Sequence, residues 1–319
     1  MKPKVTILMA IYKPNIDWLI QQLDSLNNQT YTNIDLIVWN DFPEDKTDYN
    51  SIYSKYITKF PFEIHTGVKN EGSNIAFQKL TLLAQSDYVA YCDQDDIWLP
   101  DKIKVLVKLA ESTQSCFVCS DMYIVDKYGE KIANSITKVR PHHIFYNGKD
   151  QFEYLCSRNF AVGCTTLVKT SLAKKSVPFP KEFVHDWWLA LNASLYGKIF
   201  IYNKPLINYR IHGNNQTGVM TGVYDKYDYL EHRIQPVVAC SEVLNNNFAN
   251  SPKGDYVRSF KKFALARREY YLYHRLNDLK TMFKYRYMNP SVVFFEILLP
   301  IMPNIIFKFI ISNVKKGKF

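Results

Sequence analysis

The run Asp87–Trp98, Asp-Tyr-Val-Ala-Tyr-Cys-Asp-Gln-Asp-Asp-Ile-Trp, restricts the folds open to this chain more than any other stretch. Tyr88 to Tyr91 is β-branched and aromatic without a charge, which reads as a buried strand. Asp93, Asp95 and Asp96 crowd the point where that strand ends. Negative charges packed this closely beside a buried strand are unfavourable unless something positive joins them. A hard divalent cation shared with phosphate oxygens matches their chemistry. In open α/β sheets, ligands bind beyond the carboxyl ends of the strands, where this cluster falls. From these residues alone a second reading stays open, a solvated turn and a helix N-cap before Leu99-Pro100.

The pattern before the cluster fixes the class as α/β. Val5–Ile11 is a continuous apolar strand, followed by Pro14 and an amphipathic helix to about Asn27. Asp35–Trp39 is a strand ending in Asn40-Asp41. Phe62–Thr66 is the next, and Gly72 opens a helix to about Gln85. Such alternation implies a mostly parallel, Rossmann-like sheet flanked by helices, with short loops at its functional edge. No Gly-x-Gly-x-x-Gly follows the first strand and no P-loop occurs, which argues against dinucleotide and ATP-type phosphate cradles. Later, Cys116–Val125, Val162–Val168 and Ile199–Tyr209 read as strands, Asp126–Lys131 as a turn and Glu182–Leu195 as an aromatic-rich helix. From about Tyr224 the chain turns helical, with segments near 225–246 and 254–287.

Charge divides the chain. Lys253–Phe319 holds 14 Lys/Arg against 4 Asp/Glu, whereas the preceding residues balance at 26 against 26. Ser291–Ser312 is strongly apolar but interrupted by Glu296, Pro300, Pro303 and Lys308. Two short helices lying in a bilayer interface, flanked by Lys315, Lys316 and Lys318, fit this better than a single span. Anionic lipid attracts such a segment by about 1 kcal/mol per cation. Tyr270, Tyr271, Tyr273, Tyr285 and Tyr287 among arginines and lysines keep nucleic acid as a rival, but the apolar tail favours membrane. A helical subdomain packing its own core is the remaining alternative. The six cysteines form no disulfide framework, and Cys116-x-x-Cys119 reads as buried small residues. With no signal peptide before the first strand, a reducing cytoplasmic setting is expected.

Further signals accompany the acid cluster. Asp186 opens a helix beside Trp187 and Trp188, where poor solvation would make a carboxylate more basic and suited to general-base work; an N-cap is the plainer reading. Alternation puts Arg210 and His212 on one side of an extended segment before Gly213-Asn-Asn-Gln-Thr-Gly218, a pair suited to a diphosphate and its metal. Asp41 could accept from a nucleobase N–H or cap its loop.

Their order carries more than each alone. The first strand, Asp41, the Asn70–Ala76 loop and helix, Asp93-Gln-Asp95-Asp96, the Gly163 turn, His185-Asp186 and Arg210-x-His212 together resemble the nucleotide-sugar-dependent glycosyltransferases of family 2, which have the GT-A fold. The likeness covers roughly 3–218. Cys-Asp-Gln-Asp-Asp-Ile-Trp, His-Asp-Trp-Trp and Tyr-Arg-Ile-His-Gly are most similar to bacterial rhamnosyltransferase-like members. The resemblance implies that Ala10, Ile11 and Tyr12 line the nucleoside pocket with Asn70 and Gly72, and that Asp41 reads the base. It implies Asp93 at the ribose, Asp95 and His212 on Mn²⁺ or Mg²⁺, Arg210 on the leaving phosphate and Asp186 as the base of an inverting transfer. Asp96, His185, Trp187 and Gly163 support them.

The implied reaction moves a sugar, rhamnose from dTDP-rhamnose or another from a UDP-linked donor, to a saccharide or lipid-linked saccharide in bacterial cell-surface polysaccharide synthesis. A non-catalytic, membrane-peripheral nucleotide-sugar-binding or scaffold subunit is the alternative. The expected division is a GT-A domain at 1–222 and a basic helical region with an apolar, amphipathic tail at 223–319. The latter would hold the protein on the inner face of the bacterial membrane. Nucleic acid is not an expected partner. Two departures bear on the nucleotide. Ala10-Ile-Tyr-Lys13 stands where the family often has Pro-Thr-Tyr-Asn, and Asn40-Asp-Phe-Pro43 where it often has Asp-Asp-Gly-Ser.

Overall fold

The structure, a computed structural model, describes residues 2–140, 143–212 and 222–315. The Gly213–Gly218 segment, Lys316 and Lys318, all invoked above, lie outside the described residues. The chain forms two compact units. One comprises Met1–Lys149 and Phe160–Gly213, the other Asp150–Asn159 and Asn214–Phe319.

The first unit begins as read from sequence: β1 (Val5–Ile11), α1 (Ile16–Asn27), β2 (Ile34–Asn40), α2 (Tyr49–Tyr56), β3 (Phe62–Thr66), α3 (Ser73–Leu83) and β4 (Tyr88–Cys92). A two-residue β5 (Ile97–Trp98) and α4 (Lys102–Thr113) follow. Next come β6 (Phe117–Val125), β7 (Lys131–Ala133) and α5 (Ile136–Val139), and α6 (Gln151–Leu155) belongs to the second unit. The first unit closes with β8 (Thr166–Lys169), α7 (Thr170–Lys175), α8 (His185–Tyr196) and β9 (Ile199–Arg210). These strands form one sheet in the order β3-β2-β1-β4-β8-β6-β9-β5, with β7 beside β6.

The sheet is parallel from β3 to β4, where each strand returns through a helix. Beyond β4 it is mixed: β8 runs antiparallel to both neighbours, while β6 and β9 are parallel. The expected strand from Val162 instead opens as a single 3₁₀ turn, Gly163–Thr165, because Thr165 returns both its N–H (2.8 Å) and its hydroxyl (2.7 Å) to the Val162 carbonyl.

Registers of Val5↔Tyr88 and Val5↔Ile34 bring the ends of β1, β2 and β4 to one edge. That edge collects Tyr12, Asp41 and Asp93. Beneath it lie fully buried Ile7, Met9, Leu36, Val38, Ala90 and Val118. Full burial of a large aliphatic side chain contributes about 1.5–3 kcal/mol.

The second unit is helical. After a short α9 (Lys226–Tyr229) and a π turn (Leu230–Ile234) come α10 (Gln235–Phe248), α11 (Gly254–Tyr273), α12 (Leu276–Lys284), α13 (Pro290–Leu298) and α14 (Asn304–Lys315). The 150–159 segment joins it through Lys253 Nζ, which donates to Asp150 (3.2 Å) and Glu153 (2.7 Å), and through Arg158, which donates to Asn289 Oδ1 (2.9 Å). The chain therefore passes between the units three times, at 149/150, 159/160 and 213/214, where the sequence reading placed one division at 222/223.

The apolar tail forms two short helices. Leu299, Phe307 and Ile311 pack on Val223, Tyr229, Leu230 and Ile234. Glu296, which interrupts the apolar run, is buried against Arg267, whose Nε and Nη2 donate to its two oxygens at 2.7 and 2.6 Å. Among the described residues no helix is long and apolar enough to cross a membrane.

Candidate active site

The acid cluster occupies the link between β4 and β5 and is held from several sides. His212 Nε2 and Asp95 Oδ2 hydrogen-bond at 2.8 Å. Asp96 is fully buried; its Oδ1 accepts from the Arg210 N–H at 3.0 Å, while its Oδ2 has no hydrogen-bond partner. Asp93, Asp96 and Cys164 bring potential ligand atoms within 4.8 Å of one another. Removal from water, then Asp95 and Asp186, push the Asp93 carboxyl up to about 7. Burial and the same loop's carboxylates raise Asp96 well above the ordinary range.

Part of the counter-charge comes from the protein. Lys102 is buried with its ammonium 3.1 Å from the Trp98 ring centroid, and it donates to the Cys164 carbonyl. Burial lowers its pKa to about 7, against the opposing pull of Cys164, Cys92, Asp96 and Asp93.

The donor set fits a hard cation. Carboxylate oxygens of Asp93, Asp95 and Asp96 and the His212 imidazole are donor types suited to Mn²⁺ or Mg²⁺; Asp93 and Asp96 lie in one group with Cys164, and Asp95 and His212 form a separate hydrogen-bonded pair. The orphaned Asp96 Oδ2 marks unfilled polar capacity at the cluster. Cys164, whose Sγ completes the group with Asp93 and Asp96, is a soft donor that suits such a hard cation less well.

On the nucleoside side, Ile11 is buried, Ala10 half-buried, and Tyr12 exposed at the rim. The Asp41 N–H donates to the Ile11 carbonyl at 2.9 Å. Its buried carboxylate accepts from the backbone N–H of Glu71 (3.1 Å) and of Gly72 (2.7 Å), and Asn70 Oδ1 also accepts from Gly72 (3.0 Å). Asp41 thus ties the Asn70–Gly72 loop to the end of β2. Gly72, at φ 85°, takes a left-handed conformation that side chains disfavour.

Asp186 lies in the first turn of α8 and accepts from the Gly163 N–H at 2.8 Å. Gly163 is required by proximity, because a Cβ there would meet His185 Nε2 at 2.6 Å. His185 is itself buried, its ring centroid 4.2 Å from Phe77 and 4.9 Å from Tyr91, and burial pushes its pKa down to about 3. It is a neutral ring wedged behind Asp186. Trp187 packs on Phe183 at 4.9 Å.

Arg210, expected at the leaving phosphate, ends β9. It is 1% exposed. Its guanidinium donates to the Asp95 carbonyl (2.8 Å), the Lys127 carbonyl (3.3 Å) and Gln21 Oε1 (2.7 Å). Those partners tie it to the acid loop, the Lys127 turn and α1. Sequence reading also missed Trp18, which lies 4.8 Å from the His212 ring and 5.2 Å from the Arg210 guanidinium. Its position on α1 gave no hint of a neighbour at the end of β9. Lys102 and Gln94 were missed too, although both stand beside the acid cluster in the sequence.

Comparison with known proteins bears on the family and the fold. The family model described as "Glycosyl transferase family 2" matches residues 6–176. The dTDP-rhamnosyl transferase RfbG of Shigella flexneri is 25% identical over 274 residues, covering 77% of this chain and 88% of its own. Among solved structures, Staphylococcus aureus TarS 1–349 in complex with UDP-GlcNAc superposes with a TM-score of 0.59 at 14% identity, over 99% of this chain and 93% of that one. This chain covers 47% of a longer TarS structure. The mannosyltransferase PcManGT from Pyrobaculum calidifontis, in complex with GDP-Man and Mn²⁺, gives 0.55 at 16% identity, covering 88% and 72%. These structural likenesses bear on the fold.

Proposed function

The chain belongs to glycosyl transferase family 2, and from that premise we propose that it transfers a sugar from a nucleoside diphosphate donor to a saccharide acceptor with inversion at the anomeric carbon. The observation that carries this reading is the grouping of the Asp95–His212 pair, Asp93 and the Gly163-anchored Asp186 at one edge of the sheet. dTDP-rhamnose is the favoured donor, supported by the RfbG likeness and by the three sequence motifs. UDP-linked sugars are the alternative.

Asp95 and His212 would hold a Mn²⁺ or Mg²⁺ ion, with Asp93 beside them. When bound, that cation neutralises charge developing on the leaving diphosphate. The chain's own residues do the rest. Asp41 and the Tyr12 edge take the nucleoside, and Asp93 accepts from the ribose. Asp186 removes the proton from the acceptor hydroxyl as it attacks from the face opposite the leaving group. His185 and Gly163 fix the carboxylate's direction, and Arg210 acts through Asp95 by bracing the loop that carries it.

Asp186→Asn separates transfer from mere binding. We expect turnover to fall by about 10²–10⁴-fold, while nucleoside diphosphate affinity stays within about twofold. Undiminished turnover would remove Asp186 as base; binding without turnover in the unaltered protein would favour the scaffold alternative.

We also propose that the second unit attaches the protein to the cytoplasmic face of a bacterial membrane, where a lipid-linked acceptor would reside. With the opposite faces of α13 and α14 packed on the unit's core, Phe294, Ile301 (80% exposed), Ile305 (82%) and Phe309 (65%) remain outside. Lys308 and Lys315 share α14 with the last two. Apolar side chains beside cations suit an anionic bilayer. The full chain should float with phosphatidylglycerol-containing liposomes and not with pure phosphatidylcholine, and Ile305→Ser with Phe309→Ser should abolish flotation. Failure to float, or flotation unchanged by the double substitution, would refute this attachment.

A further inference from the structure

Gln94 stands between two of the cluster's carboxylates, yet its side chain points to another loop. Its Oε1 accepts from the Tyr12 N–H at 2.8 Å, and its Nε2 donates to the Tyr12 carbonyl at 3.1 Å. One amide therefore satisfies both backbone groups of one residue, as an adjacent strand would. The site of this pairing is informative. The parallel register between β1 and β4 ends at Met9↔Cys92, so beyond it no backbone ladder joins the two strands. Gln94 extends the connection past the ladder's end. Immediately after Tyr12 the chain turns sharply, with Lys13 at φ 44°, a left-handed conformation that a lysine adopts at some cost.

The far side of the acid loop is also fixed, by the Arg210 Nε donating to the Asp95 carbonyl at 2.8 Å and its N–H donating to Asp96 at 3.0 Å. The loop is thus gripped from the β9 side and itself grips the β1 side. A shift of Asp95 on taking a cation would pass through Gln94 to the backbone of Tyr12.

We propose that Gln94 is a positioning residue that couples occupancy of the carboxylate cluster to affinity for the nucleoside. This rests on the reading of the site as a metal–diphosphate site given above. Because coupling between sites is reciprocal, the cation and the nucleotide strengthen one another by one shared factor, commonly about 5–150-fold. Removing the link should shrink that factor while leaving each subsite's own groups in place.

The test is calorimetric titration of the full chain with UDP, dTDP and GDP, each with and without Mn²⁺. It compares the unaltered protein with Gln94→Met, which keeps length but loses both hydrogen bonds, and with Gln94→Asn, which keeps the amide one methylene short. Thermal unfolding of the ligand-free proteins is followed in parallel. For whichever diphosphate binds, the ratio of affinities with and without Mn²⁺ should fall at least fivefold in both variants. A merely structural role would lower the unfolding temperature and leave that ratio unchanged, and this outcome would overturn the inference alone. Binding by the unaltered chain with no effect of Mn²⁺ would also overturn it, since there would be no coupling to carry. If the unaltered chain bound none of the three diphosphates, both the inference and the reading beneath it would fall. Should Gln94→Met not fold, Gln94→Asn decides by the same ratio.

Discussion

At the scale of single residues, the site is governed by how few charges its interior compensates. Asp93, Asp95 and Asp96 face the buried ammonium of Lys102, itself pushed toward neutrality, and the buried guanidinium of Arg210. Asp93 holds its proton up to about 7, chiefly because it has lost water and next because Asp95 and Asp186 lie nearby. A cation must displace that proton, so binding is weakened on the acid side of 7 and levels off above it. Apparent Mn²⁺ affinity should therefore rise about tenfold per pH unit from pH 5.5 to 6.5 and little from pH 7.5 to 8.5. Asp93→Asn should flatten the lower limb, and an unchanged slope in that variant would assign the proton elsewhere. The two departures from the family's usual motifs also meet at this scale. Lys13 and Phe42 pack together, the ammonium 4.4 Å from the ring, and Tyr12 lies edge-on to Phe42 at 5.6 Å. A sequence shows two unrelated substitutions there; in the fold they are one contact beside Asp41.

At the scale of elements, what was legible depended on whether burial left a periodic trace. β1, β2 and β4 are short, mainly apolar runs and β3 alternates apolar with polar residues, and all four were readable to within a residue or two. α2 buries only Tyr49 and Tyr53, and its tyrosine-rich polar sequence gave no helical stripe. Arg210 and His212, read from alternation as one pair, both reach Asp95, the first at its carbonyl and the second at its carboxylate. Their separate duties were not legible, because Trp18 and Gln21 reach them from an element nearly two hundred residues earlier. Glu296 shows the opposite case: a charge that looked like a break in an apolar tail is the buried anchor of α13 to α11. Glu296→Ala would strand Arg267 in the interior and should cost about 3–5 kcal/mol in denaturant unfolding of that unit. Replacing both by methionine should restore most of the loss. A single substitution costing under about 1 kcal/mol would show that the pair is not buried as described.

At the scale of the whole molecule, the basic stretch from Lys253 onward lies wholly within the second, helical unit. Its boundary was legible only in part, because Asp150–Asn159 leaves the first unit and returns, and nothing in its composition announces that excursion. The family assignment rests on the first unit, and so does the central claim, that Asp95 and His212 form a cation site serving a nucleoside diphosphate. Electron paramagnetic resonance of Mn²⁺ titrated into the full chain tests this most directly, with dTDP or UDP present, beside Asp95→Ala and His212→Ala. The account predicts loss of the free-ion signal with about one equivalent bound by the unaltered protein, and at least tenfold weaker binding in each variant. Equal Mn²⁺ binding in all three folded proteins would contradict it.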